Sequence, residues 1–256
     1  MKMLRLMILF IFFGLHSNAQ DFAFKAGEKI TYTVFYNVIG LYINAGTATF
    51  STTRVNFQNY DAYHVVGEGS TNSKYDWIFK VRDRYESYFD ADDLKPIKFI
   101  RNVNEGDYKK YEEVVFDHDN KIAITKKGMI KIPHQVQDVI SSLYYARNLD
   151  FNNYKPGDKI PFNMFLGDEV YNMYIRYVGK ESVKTKYGNF NAIKIKPLLL
   201  KGQTFNGGEK MTIWVTDDPN HIPVRIESPI VVGTVKVDLV EYQNLKHPLT
   251  ALTKKK

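Results

Sequence analysis

The chain has 256 residues and no cysteine, and its 35 Lys and Arg outweigh 28 Asp and Glu for a formal net charge of +7. A disulfide framework, thiolate metal ligands and thiol nucleophiles are therefore excluded. The basic residues are spread out, apart from Lys254-Lys255-Lys256 at the end, so the dense basic stripe of a nucleic-acid binder is missing too.

Lys2 and Arg5 precede an unbroken apolar run from Leu6 to Leu15, and Ser17-Asn18-Ala19 sets small residues before Gln20. This is the three-part pattern of a secretory signal over residues 1–19, cut between Ala19 and Gln20. The apolar run is about half the length of a membrane-spanning helix. Without a cysteine at the cut, lipid cannot be attached there. No later segment is long and apolar enough to span. Residues 20–256 are therefore expected as one exported, periplasmic domain, soluble after signal cleavage and large enough to bury a core.

Strand-like alternation begins at Lys29-Ile30-Thr31-Tyr32-Thr33-Val34, where Ile30, Tyr32 and Val34 share a face. It recurs at 45–53, 62–66, 84–89, 97–101, 112–116 and 121–125. Later runs are 170–178, 191–196, 210–216, 224–226 and 234–242. Turn signals separate them: Asp117-His118-Asp119-Asn120, Lys127-Gly128, Tyr187-Gly188-Asn189 and Asn206-Gly207-Gly208. Many strands with short turns predict a mainly β fold, an antiparallel curved sandwich or barrel.

One segment breaks the pattern. Asp138 is a helix N-cap for Val139 to Asn148, and Ile140, Leu143, Tyr144 and Arg147 fall on one helical face. This helix, 138–148, joins two halves, 24–133 and 155–245, that resemble each other. Gly27-Glu28-Lys29-Ile30 matches Gly157-Asp158-Lys159-Ile160 at an offset of 130, and Tyr60-Asp61-Ala62 matches Phe190-Asn191-Ala192 at the same offset. Asp92-Asp93-Leu94-Lys95-Pro96 is similar to Asp217-Asp218-Pro219-Asn220-His221-Ile222-Pro223. A duplicated β unit is the expectation.

Phe24-Lys25-Ala26-Gly27-Glu28-Lys29-Ile30 with Asn44-Ala45-Gly46-Thr47-Ala48 resembles the opening of the DUF3108 family. So do Lys80-Val81-Arg82-Asp83-Arg84-Tyr85, the helix Val136-Gln137-Asp138-Val139-Ile140 and the closing Ile213-Trp214-Val215-Thr216-Asp217. The motifs come in family order over nearly the whole chain. The resemblance implies an exported bacterial envelope protein with a largely β fold. The family's function is unknown, so it implies no catalytic residues.

Chemistry-bearing motifs are sparse. Asp90-Ala91-Asp92-Asp93 is followed by Leu94-Lys95-Pro96, without the glycine and closing glutamate of a calcium loop, and reads as a hairpin turn. His118 has no second histidine at zinc spacing, so no metal or cofactor is expected. No Gly-x-Ser-x-Gly elbow, phosphate-binding loop or dinucleotide fingerprint occurs. The strongest cluster is Arg82-Asp83-Arg84, where strand parity puts Arg82 and Arg84 on one face and Asp83 with Tyr85 on the other. A charge on the inner face is expensive to bury unpaired, so Asp83 must reach solvent, pair, or line a polar cavity, and pairing with Arg147 from the apolar helix face is one testable option. Trp77 and Trp214 read as core anchors, with Trp77 kept as a ligand platform beside Arg82, Asp83, Arg84 and Arg147.

Three readings stand at this stage. The first is a non-catalytic binding or accessory protein of the envelope, with an apolar small molecule, lipid or glycan held in a curved sheet. The second is a structural or interaction module that meets an envelope protein through a sheet edge or apolar patch. The third is a hydrolase, which needs a histidine near a serine and a carboxylate.

Overall fold

Alternation of apolar and polar side chains carries the first half of the sheet. The computed structural model describes residues 21–38, 41–201, 206–230 and 233–255, so the predicted signal and its cut at Ala19 and Gln20 lie outside them. The strands before the helix are Lys29–Val38 (β1), Leu41–Phe57 (β2), Tyr60–Thr71 (β3), Arg82–Asp90 (β4), Pro96–Glu105 (β5), Tyr108–Asp117 (β6), Ile122–Thr125 (β7) and Gly128–Lys131 (β8). In β6 the buried residues are Glu112, Val114 and Phe116, at the period of two that one packed face demands.

The helix Val139–Arg147 (α1) follows. After it come Lys159–Leu166 (β9), Glu169–Lys184 (β10), Gly188–Pro197 (β11), Leu199–Lys201 (β12), Asn206–Gly208 (β13), Thr212–Thr216 (β14), Pro223–Pro229 (β15), Thr234–Gln243 (β16) and Leu252–Lys255 (β17). Asn206-Gly207-Gly208, expected as a turn, is thus a short strand paired with β12. The polar β17, which carries no apolar alternation to announce it, pairs with the start of β11.

Among the described residues fifteen strands form one antiparallel sheet in the order β8-β7-β6-β5-β4-β3-β2-β1-β16-β15-β14-β11-β10-β9, with β17 on β11. Chain-adjacent strands are sheet neighbours throughout the first half; in the second, β12 and β13 pair apart from the main sheet and β14 pairs with β11, and the β1–β16 ladder joins the halves. The ladder does not close, but the sheet curls far enough for its ends to meet. Gly167, in the β9–β10 turn, donates its N–H to Glu112 of β6 at 2.8 Å, and Lys127 of the β7–β8 turn pairs with Asp168 at 2.8 Å.

Asp138 caps α1 as its sequence predicts. Its carboxylate accepts the N–H groups of Ile140 and Ser141 at 2.7 and 2.8 Å, and the Ser141 hydroxyl accepts the Asp138 N–H. The Ser87 hydroxyl of β4 also donates to this carboxylate, which ties the helix to the sheet. The helix stops at Arg147, one residue early, because Asn148 turns its side-chain N–H back to the Tyr144 carbonyl. Its buried face is Ile140, Ser141, Tyr144 and Arg147; Leu143, expected there, is exposed. The capping box draws the Ser141 side of the helix toward the sheet, and Leu143 lies on the far edge of that stripe.

Around α1 the concave face is filled. Ile140 and Tyr144 pack with Phe24, Val65, Phe89 and Phe165, and the Phe24 and Tyr144 rings meet edge to face at 4.7 Å. Strand β11 is buried on both sides. Phe190 and Ala192 join one core with Ile30, Tyr32 and Leu239, while Ile193 and Ile195 join another with Phe151, Ile160 and Tyr177.

The segments that match in sequence make matching turns. Gly27 and Gly157 both have left-handed backbones, φ 84° and 102°, and each donates its N–H at 2.8 Å to a strand carbonyl, of Thr52 and Tyr177. The next residues, Glu28 and Asp158, accept the N–H groups of those same two residues at 2.9 Å. The acidic tracts are also alike. Ala91 donates to the Asp61 carbonyl at 2.9 Å in the β4–β5 turn, and Asp217 donates to that of Asn191 at 3.0 Å in the β14–β15 turn.

Candidate binding rim

Successive hairpins of an antiparallel meander alternate between the two ends of the sheet. The β1–β2, β3–β4 and β5–β6 connections therefore share one end, and the β15–β16 turn joins them because Asn37 pairs with Thr234. Hydrogen bonds lock these neighbours together. Asn72 donates its N–H to the Ala45 carbonyl, and Gly106 donates its own to the Lys80 carbonyl, both at 2.8 Å.

The β3–β4 loop is built from its base upward. Arg82 points its guanidinium back into the loop, where it bonds both carboxylate oxygens of Asp76, at 3.1 and 2.7 Å, and the Thr71 carbonyl at 3.2 Å. The Thr71 hydroxyl donates to Asp76 at 2.9 Å and accepts the Val81 N–H at 3.0 Å. Asn72 starts a short 3₁₀ turn, Ser73–Tyr75, and the Tyr75 carbonyl accepts the N–H groups of Ile78 and Phe79 at 2.9 and 3.1 Å.

This frame holds three consecutive large apolar side chains in solvent. Trp77 is 83% exposed, Ile78 63% and Phe79 52%. The Phe79 ring lies over the β5–β6 turn, where Gly106 has φ 57° and a Cβ would come within 3.0 Å of that ring. Leu41, Tyr42 and Ile43 of the neighbouring hairpin are exposed as well, as is Tyr108. Cations border the patch. Lys236 Nζ sits 4.3 Å from the Tyr42 ring centre and Lys74 Nζ 4.8 Å from that of Tyr75. Lys80 and Lys109 are exposed beside the tip. Of the acidic groups here, Asp76 is paired with Arg82, burial together with the neighbouring Asp83 carboxylate pushes the Glu105 carboxyl up, and Asp107 of the β5–β6 turn is exposed beside Lys109.

The remaining predicted site residues do not converge. Trp77 is no core anchor, because it sits at a loop tip, whereas Trp214 is 9% exposed and donates its indole N–H to Glu181. Arg84 lies on the outer face between Glu68 and Glu86. Asp83 does face inward with Tyr85, but it does not meet Arg147. It accepts the Asn104 N–H at 2.8 Å instead, while Arg147 is buried against Glu28 at 2.6 Å. Sequence reading passed over Ile78, Phe79 and Leu41 to Ile43. The available signal was Trp-Ile-Phe, a run fitting neither strand nor helix period, set between Lys74 and Lys80.

Three histidine rings bond groups other than hydroxyls. His64 bonds Glu86 at 2.9 Å, His118 the Pro96 carbonyl at 2.8 Å and His221 the Arg147 carbonyl at 2.7 Å. Among the described residues no group of three or more His, Asp and Glu side chains is placed to hold a metal ion. Two surface openings are of mixed polarity. One of about 370 Å³ is lined by Asp93, Lys95, Gln137, Tyr145 and Phe162, and one of about 550 Å³ by Lys110, Glu112, Ile124 and Lys127.

The model of the DUF3108 family, a protein family of unknown function, matches residues 31–240. The chain belongs to that family. No curated protein matches it. Among solved structures, a β-barrel-like protein of the DUF1849 domain of unknown function from Brucella abortus aligns with TM-score 0.60 and 11% identity. That alignment covers 87% of this chain and all of the other. A protein from Bacteroides fragilis, described as exported with a YmcC-like fold, aligns with TM-score 0.39 at 14% identity over 87% of this chain and 98% of its own. A protein from Parabacteroides distasonis, described as a lipoprotein, aligns with TM-score 0.38 at 15% identity over the same shares. The first likeness shows the fold, a curved β-barrel-like sheet. No helix among the described residues is long and apolar enough to cross a membrane.

Proposed function

We propose that this protein is a non-catalytic binding module of the bacterial cell envelope that engages an apolar partner through the rim formed by its β3–β4 and β1–β2 loops. The observation that carries the reading is the braced exposure of Trp77, Ile78 and Phe79. Large apolar side chains grouped on a surface mark interaction sites, and a rigid frame lowers the ordering cost of binding. The aromatic cores around α1 occupy the concave face, which turns the reading outward, from an enclosed ligand to a surface partner. The export signal read from residues 1–19 supplies the compartment.

A photo-crosslinking amino acid tests it. Placed at Ile78 in the full chain made in its envelope, it should yield a discrete adduct. Placed at Tyr60, on the opposite end of the sheet, it should not. Equal labelling at both positions, or none at Ile78, sinks the proposal.

A further inference from the structure

The chemistry of the rim identifies its partner more closely. Its apolar residues stand at the tips of hairpins rather than in a groove, and the tallest group is a tryptophan beside Ile78 and Phe79. Its exposed cations are lysines, Lys74, Lys80 and Lys109, with Lys236 at the Tyr42 ring. The nearby arginine, Arg82, is consumed inside the loop by Asp76. Protein–protein interfaces favour arginine and are depleted in lysine. Membrane–water interfaces favour tryptophan and tyrosine at headgroup depth with lysine around them.

Resting on the binding-module reading, we propose that the rim docks on the surface of an anionic lipid bilayer. Trp77, Ile78 and Phe79 enter the boundary between headgroups and acyl chains, and Lys74, Lys80, Lys109 and Lys236 lie against anionic headgroups. Each lysine held at such a surface is worth roughly fivefold in partitioning, an attraction that salt screens. Without Lys2 and Arg5 of the signal, 33 Lys and Arg stand against 28 Asp and Glu, and this net charge of +5 acts in the same sense. A second copy of the chain fits less well, because two such rims would bring their lysines together.

Fluorescence supplies the test, since the chain holds only two tryptophans. In the Trp214→Phe variant of the mature chain Trp77 is the sole reporter. Vesicles of phosphatidylethanolamine with phosphatidylglycerol should shift its emission to the blue, and brominated acyl chains should quench it. Partitioning should fall about tenfold or more on phosphatidylcholine vesicles, and by a similar factor as salt rises from about 0.1 to about 0.5 M. The double variants Ile78→Ser with Phe79→Ser, and Lys74→Glu with Lys80→Glu, should each bind at least about tenfold more weakly with unchanged melting temperature. An emission spectrum unmoved by any vesicle overturns the bilayer proposal. If Ile78 meanwhile crosslinks to a protein, the binding-module reading survives and its partner is that protein. If Ile78 crosslinks to nothing, both readings fall.

Discussion

Arg147 and Glu28 form a two-pronged ion pair inside the protein, with Nη1–Oε1 at 2.6 Å and Nη2–Oε2 at 2.9 Å. The guanidinium also donates to the Asn220 and Ala23 carbonyls at 3.1 and 3.2 Å and lies over the Phe24 and Tyr144 rings. One side chain therefore ties the helix end to the N-terminal segment, the first turn and the β14–β15 turn. Buried charge is tolerated only when every donor is met. Truncating either partner strands the other, so Glu28→Ala and Arg147→Ala should each cost about 3–5 kcal/mol. Joint replacement of both by leucine should cost clearly less than the sum. Urea denaturation of the two single variants and the pair measures this, and additive losses would contradict it.

Asp138 makes stability depend on pH. Burial pushes its carboxyl up to about 6, against the opposing pull of hydrogen bonds from Ser87, Ser141 and Ile140. An unfolded aspartate titrates near 3.9. The folded state therefore holds the proton more tightly between those two values. The contribution is fully present below about pH 4 and is lost as pH rises through about 6, a change of about 3 kcal/mol. Asp138→Asn keeps an oxygen for the Ile140 and Ser141 N–H groups and removes the titration. The difference in stability between wild type and variant should change with that sign between pH 4 and pH 7, and a difference independent of pH would count against the assignment.

Much of the sheet was legible because one buried face writes a period of two into the sequence, as at Glu112, Val114 and Phe116. The N-cap was legible too, since Asp138 and Ser141 act within one turn. Partner choice was not. Parity placed Asp83 inward and helical spacing placed Arg147 on the buried face, yet the counter-ion of Arg147 comes from a turn 119 residues away. Nothing local distinguishes Glu28 from the other carboxylates. Trp77 failed for the opposite reason. Its apolar character predicts burial, and only tertiary placement on a braced loop reverses that.

Arg82 should be a loop residue rather than a ligand residue. It closes the base of the β3–β4 connection through Asp76 and Thr71, with its side chain about one-third exposed. Such an ion pair contributes about 1 kcal/mol or less. Arg82→Ala should thus melt close to wild type but free residues 72–81 locally. Limited trypsin digestion should cut the variant at Lys74 or Lys80 well before the wild type. Equal cleavage rates would show that the frame is set by the backbone alone.

The apolar tip should contribute almost nothing to folding, and this separates display from defect. Substitutions at exposed positions away from buried networks stay within about 0.5 kcal/mol, and Trp77 is 83% exposed on a loop whose hydrogen bonds are backbone or come from Thr71, Asn72, Asp76 and Arg82. Trp77→Ser should therefore leave the urea midpoint nearly unchanged while removing the red, acrylamide-quenchable part of the native emission. What remains should be the blue emission of buried Trp214, unmasked to quencher only on unfolding. A loss of several kcal/mol in Trp77→Ser would mean that the indole packs into the fold, and the rim would then be part of the core rather than a surface held out for a partner.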